Sequence, residues 1–153
     1  MRLSSLADYA VVMMSTAARH CGHARVRRMA EGSGTGLLSA ANLADETGIP
    51  VPTAQKLVSL LTRAGLLKSV RGAGGGIMLA RPSAAISLAD IIEAVEGPIA
   101  MTHCVSDGSR DCAREGSCNV QPHWPAVNAA VKGALSGISL ASLAVARPTG
   151  EVA

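Results

Sequence analysis

Apolar residues at Leu3, Leu6, Ala7, Ala10, Val11 and Met14 recur at helical spacing, with Ser5 and Asp8 placed as an S-x-x-D capping box. They predict a first helix ending near His20. Residues 22–37, rich in Gly and Arg, read as a loop. Ser39 is placed as the cap of a short helix reaching about Thr47, where Gly48 ends it. Pro52 then opens a second helix that runs to Ala64 and stops at Gly65. Two short helices joined by a tight Gly-containing turn are the helix-turn-helix pattern, over 39–64. The small residues Ala44, Gly48 and Ala54 fall where the two helices would approach closely.

Two short strands follow, Leu66 to Val70 and Ile77 to Ala80, around a Gly-rich stretch from Gly72 to Gly76 that suits a hairpin tip. A helix-turn-helix followed by a hairpin predicts a winged helix, with the wing over 66–80. Ser87 caps a further helix to Val95, which Gly97-Pro98 stops. Residues 101–122 have no regular period and read as an irregular loop. After Pro125, Val127, Ala130, Val131, Ala134, Leu135 and Ile138 form an apolar stripe on a long helix. The predicted fold class is mainly α with a small β-hairpin. Its organisation is a winged helix-turn-helix domain over 1–100, a cysteine-rich loop over 101–122, and a dimerisation helix with tail over 123–146.

Composition narrows the function classes. Of 153 residues, 48% are hydrophobic, yet there is no Phe, one Tyr and one Trp, so the core must be aliphatic. Interleaved aromatics for stacking on single-stranded nucleic acid are absent. The net charge of +3 is mild, but Arg19, Arg25, Arg27 and Arg28 crowd one segment and Lys56, Lys68, Arg63, Arg71 and Arg81 another. The apolar stretch from Tyr9 to Ala18 is too short to span a bilayer and a poor match to a signal peptide, so a cytoplasmic protein without a membrane partner is expected.

Cys104, Cys112 and Cys118 are separated by seven and five residues, with His103 and His123 flanking them. Three thiols so close in a reducing compartment suit a soft metal centre. A Cys3His zinc site is the rival, although the paired Cys-x-x-Cys knuckle is missing; a disulfide switch is a third reading. Cys21 reads as a small buried hydrophobe. Asp8 is either a capping acid or a carboxylate ligand. Thr53, Gln55, Lys56, Ser59 and Arg63, on polar positions of the second motif helix, and Arg71 at the wing base, are of the types that reach base edges and phosphates. No Ser-His-Asp order, paired carboxylates or H-E-x-x-H motif appears, so neither an enzyme nor a small-molecule substrate is expected.

The opening Met1-Arg-Leu-Ser with Asp8-Tyr9-Ala10, Val70-Arg71-Gly72-x-Gly74-Gly75-Gly76, Glu93-Ala94-Val95-Glu96-Gly97-Pro98 and the Cys-Cys-Cys-Trp order resemble the iron-sulfur-responsive winged-helix transcription regulators (IscR/NsrR-like). The Glu-Gly-Pro-Ile-Ala segment is most similar to the SUF-operon branch. The resemblance implies a homodimer binding a double-stranded DNA operator. It further implies an iron-sulfur cluster, [4Fe-4S] or [2Fe-2S], held by Cys104, Cys112 and Cys118. In some members a His three residues after the last cysteine completes the set, but that position here is Gln121. In others the fourth ligand is an acidic residue of the partner's first helix, which Asp8 matches; His123 is the weaker alternative. The implied function is a repressor sensing cluster status, controlling cluster-assembly genes. A constitutive DNA-binding or adaptor module with a structural zinc or thiol site is the alternative. The loop over 22–37 departs from the family in length and basicity, so Arg25, Arg27 and Arg28 are expected to add phosphate contacts.

Overall fold

The structure, a computed structural model, describes residues 3–31, 37–71, 75–105, 112–114 and 116–145, with backbone alone for 22–31. Its centre is helix α1 (Ser5–Glu31). Met13 to Ala18 are buried without a break, Ser15 and Thr16 included. Six consecutive buried residues mean that this stretch of the helix is covered on every side, unlike an amphipathic surface helix. The cover comes chiefly from α2 (Ala40–Thr47), α4 (Leu88–Glu96) and α6 (Leu140–Ala144).

Helix α1 runs well past the predicted end at His20 and takes in most of the expected loop. Ala24, Arg25, Arg27, Arg28, Met29 and Ala30 are all good helix formers, no proline interrupts them, and Gly22 costs only about 1 kcal/mol. The start also differs. The Ala7 N–H donates to Ser4 Oγ at 3.1 Å, so Ser4, not Ser5, is the cap. The Ser4 N–H is taken by Glu96 Oε1 of α4 at 3.0 Å. A distant carboxylate thus does the work expected of Asp8, which lies exposed on α1.

Helices α2 and α3 (Val51–Arg63) form the expected helix-turn-helix. Ser39 and Asn42 make a reciprocal capping box at 3.0 and 3.1 Å. Ala44 and Ala54 are buried where the helices approach. Gly48 serves differently: a Cβ there would meet nothing within 4 Å, and its φ of +69° is what the turn requires.

Strands β1 (Leu67–Val70) and β2 (Gly76–Leu79) pair antiparallel, Leu67 opposite Leu79 and Val70 opposite Gly76. The tip residues 72–74 lie outside the described residues. The segment before α2 adds a bridge that the sequence did not suggest, with the Ile77 N–H donating to the Leu38 carbonyl at 2.6 Å. Gly76 is the residue that admits it. A Cβ there would lie 2.7 Å from Leu37 Cβ and 2.8 Å from the Leu38 oxygen.

Helix α4 opens on a second capping box, Ser87 with Asp90, and packs on α1 and α3. Helix α5 (Trp124–Ser136) ends at Gly137, so Ile138 of the predicted stripe lies beyond it. The chain then turns back. Leu88 N–H donates to the Ile138 carbonyl at 2.8 Å and Leu140 N–H to the Ile86 carbonyl at 2.7 Å. These two bonds place Leu140 in the core, fully buried, at the start of α6. No described helix is long and apolar enough to cross a membrane.

The two glycines should respond differently to alanine. Gly76→Ala is expected to cost about 1–3 kcal/mol through overpacking, and Gly48→Ala about 1 kcal/mol through left-handed backbone alone. Urea denaturation of both variants checks this; a Gly76→Ala midpoint equal to wild type would mean that the Leu37–Leu38 segment is free to retreat.

Candidate nucleic-acid interface and cysteine loop

Helix α3 buries Ala54, Leu57 and Leu61, which turns Gln55, Lys56, Ser59 and Arg63 to solvent. Thr53 is half-buried beside them. The face is basic, since α3 contains no acidic residue. Its N-cap, Pro50, offers no side-chain hydrogen bond, so the first-turn amides of α3 lack a side-chain cap. Arg71 is exposed just past β1, and so is Lys68 on the strand. Arg81 is engaged elsewhere, 3.8 Å from the capping carboxylate of Asp90. The polar α3 residues and the wing-base arginine are therefore all accessible on the domain. Arg25, Arg27 and Arg28 continue α1 as helix, and their side chains lie outside the described residues.

Where it is described, the cysteine loop consists of tight turns. Val105 N–H donates to the Thr102 carbonyl, Ser117 to Arg114, Gln121 to Cys118 and His123 to Val120. Gly116, at φ +87°, makes the left-handed step between the second and third cysteines. The 3-10 turns His103–Val105 and Gln121–His123 both touch α5.

All four cysteines are free. Cys104 is half-buried with its Sγ 3.0 Å from Thr102 Oγ1, Cys118 is half-buried and Cys112 is exposed. His123 is exposed at the start of α5. Cys21, expected to be buried, is half-buried on α1. Among the described residues no three Cys, His, Asp or Glu side chains are gathered as a metal site requires. Residues 106–111 and 115 of the loop are outside that description.

Sequence reasoning passed over the polar set that anchors this loop. Asn128 Oδ1 accepts from the Met101 N–H at 2.9 Å, and its Nδ2 donates to the Ile99 carbonyl at 3.0 Å. Glu93 Oε1 accepts from the Ile99 N–H at 3.1 Å and from Lys132 Nζ at 2.7 Å. Burial pushes the Glu93 carboxyl up, but the bonds from Lys132 and the Ile99 amide outweigh it and hold the group below the ordinary carboxylate range. A signal existed in the sequence: Asn128 and Lys132, four residues apart, are the polar interruptions of an otherwise apolar and small helix face.

The chain matches the Rrf2 family, described as iron-dependent transcriptional regulators, over residues 3–146. It belongs to the Rrf2 family. It is 32% identical to the HTH-type transcriptional regulator IscR of Photorhabdus laumondii over 143 residues, 94% of this chain and 79% of that protein. Among solved structures it is similar to CymR, the global cysteine regulator of B. subtilis, with 30% identity and a TM-score of 0.65 over 94% of this chain and 96% of that one. IscR of T. potens is also similar, with 28% identity and a TM-score of 0.65 over 94% and 85% of the two chains. The Rrf2 protein described here is thus an IscR-like, winged-helix, DNA-binding transcriptional regulator, and its relatives are regulators rather than enzymes. Three free thiols in one loop match the soft donors that an iron-sulfur cluster takes, so the donor set fits such a group chemically.

Because the folded Glu93 carboxyl titrates below its usual range, its contribution to stability is present above that range and lost as pH falls through the lowered value. The pair is half-exposed at Lys132, so Glu93→Gln should cost at most ~1 kcal/mol near neutrality. The deficit should close as pH falls through the lowered value of the carboxyl. Denaturation of both proteins across pH checks this, and a deficit independent of pH would place the effect in packing instead.

Proposed function

We propose that this Rrf2 protein is a homodimeric repressor that senses iron-sulfur cluster status and controls cluster-assembly genes, those of the SUF system in particular. The observation that carries the reading is the loop with three free cysteines, Cys104, Cys112 and Cys118, whose two end turns touch α5, in a chain whose family is described as iron-dependent. The three thiolates would hold the cluster, with Asp8 of a partner protomer or His123 as the fourth ligand. Exposure of Asp8 on α1 and of His123 beside α5 is compatible with either. The bound cluster would supply a bond network that depends on iron and oxidant supply.

Dimerisation is supported by α5, which has no buried residue among thirteen although it is largely apolar. Val131 and Leu135 turn toward the protomer, while Val127, Ala130 and Ala134 are exposed. A second copy of the same helix would cover them. Two α3 helices would then meet successive major grooves, with Thr53, Gln55 and Ser59 near base edges and Lys56, Arg63 and Arg71 near phosphates. Occupancy of the loop changes affinity only if the two states of the dimer bind the operator differently. The second reading is a thiol-redox or zinc-stapled loop in a regulator of another signal. The structural likeness to a cysteine regulator favours it.

Protein purified without air separates these readings. Visible absorbance with stoichiometric iron and sulfide, and an operator affinity that shifts on cluster removal and not in Cys112→Ala, are the expected results; zinc, or an affinity indifferent to the loop, would overturn the sensor. On the DNA side, Lys56→Ala should lower the slope of log affinity against log salt by ~0.9. Gln55→Ala should cost about 1–3 kcal/mol of discrimination at one base pair. Unchanged values would remove these residues from the interface.

A further inference from the structure

Residues Gly97–Met101 form a strap between the end of α4 and the turn that carries Cys104. Packing alone does not fix it. The strap borders an open cleft of about 460 Å³, faced by Leu3, Ile92 and Leu135, so among the described residues no element covers that side. Hydrogen bonds hold it instead, and they come from two helices. Asn128 of α5 takes both edges of the strap backbone, the Met101 N–H and the Ile99 carbonyl. Glu93 of α4 takes the Ile99 N–H and, through the same oxygen, Lys132 of α5. The next residue, Thr102, begins the turn whose carbonyl receives the Val105 N–H and whose hydroxyl lies against the Cys104 sulfur.

We infer that Asn128 is a positioning residue for Cys104: by gripping Ile99 and Met101 it fixes, against α4 and α5, the point from which the first thiol of the loop is presented. A primary amide suits this place because the strap offers one N–H and one carbonyl, and only a group with an acceptor and a donor on one carbon answers both. Aspartate would keep the acceptor and lose the donor; alanine would lose both. Three residues along α4 from Glu93, Glu96 accepts the N–H of Ser4, whose hydroxyl caps α1, the helix of Asp8. The last turn of α4 therefore registers the strap of Cys104 and the helix of Asp8 against one frame. The importance given to Cys104 rests on its reading as a cluster ligand, whereas the grip itself is independent of any bound group.

The test uses the full chain, first metal-free. Amide hydrogen exchange is followed at Ile99 and Met101, and iodoacetamide labelling of Cys104 is measured against Cys21 as an internal reference, in wild type, Asn128→Ala and Asn128→Asp. Loss of both bonds should speed exchange at the Met101 amide, which loses its acceptor, and, as the strap loosens, at the Ile99 amide that Glu93 holds, and should raise the Cys104-to-Cys21 labelling ratio, each on the order of fivefold. The Asp variant should keep Met101 protected. Cluster-loaded Asn128→Ala should also lose iron in air faster than wild type. Unchanged exchange and labelling in Asn128→Ala would overturn the inference. So would a uniform rise at Cys104, Cys21 and amides throughout, the mark of general loosening. A wild-type protein that takes up no iron and sulfide would end the cluster reading alone, and the metal-free measurements would still decide the grip.

Discussion

Helices α4 and α6 reach the middle of α1 because the side chains between them are small. Ala10, Ala17 and Ala18 let neighbouring backbones draw near, and Met13 and Met14 fill what remains of an aliphatic core with no Phe. Every later element depends on this packing. The helix-turn-helix leans on α1 through α2, the wing through β2, and the C-terminal return through α6. Polar atoms within the core are matched: Thr16, almost fully buried, has its hydroxyl 2.8 Å from Arg19 Nη2, and no buried side-chain donor or acceptor lacks a partner among the described residues.

Helix α4 is short, yet its three carboxylates join parts far apart in the chain. Asp90 closes the cap with Ser87 and lies near Arg81, Glu93 ties the strap to α5, and Glu96 completes the start of α1. None of these contacts is worth much alone, being partly exposed. Their value lies in register, because they hold the beginning of the chain, the approach to the cysteine loop and the apolar helix α5 at defined distances from the DNA-binding half.

The winged helix was legible because its signals are local. Ser39, Gly48, Gly65 and Ser87 act within a few residues of themselves, and the sequence placed them as caps and turns where the structure has them. Errors came where a distant partner overrode a local choice. The local pattern makes Ser5 and Asp8 a capping box, but Ser4 is the cap and Glu96, far along the chain, takes its N–H. Gly76 was read with the hairpin tip, while its real constraint is the segment at Leu37 and Leu38. The extension of α1 past His20 was missed because a glycine and several arginines looked like a loop, although arginine is a good helix former. The exposed polar face of α3 agrees with the sequence pattern. The three thiols, close in sequence, are not gathered among the described residues, because nearness along the chain does not fix where side chains point.

Ser87, just before α4, and Ser139, just after α5, are bridged to each other. Helix α4 itself packs into the core, so the strap, the cysteine loop and α5 form one excursion from its end that the bridge closes. Such an insert leaves and rejoins the rest without altering the path of the flanking chain. Its cysteine-bearing stretch can be lengthened, shortened or rewritten while α1, the helix-turn-helix and the wing keep their places. One DNA-reading scaffold can in this way serve regulators that answer to different chemical signals.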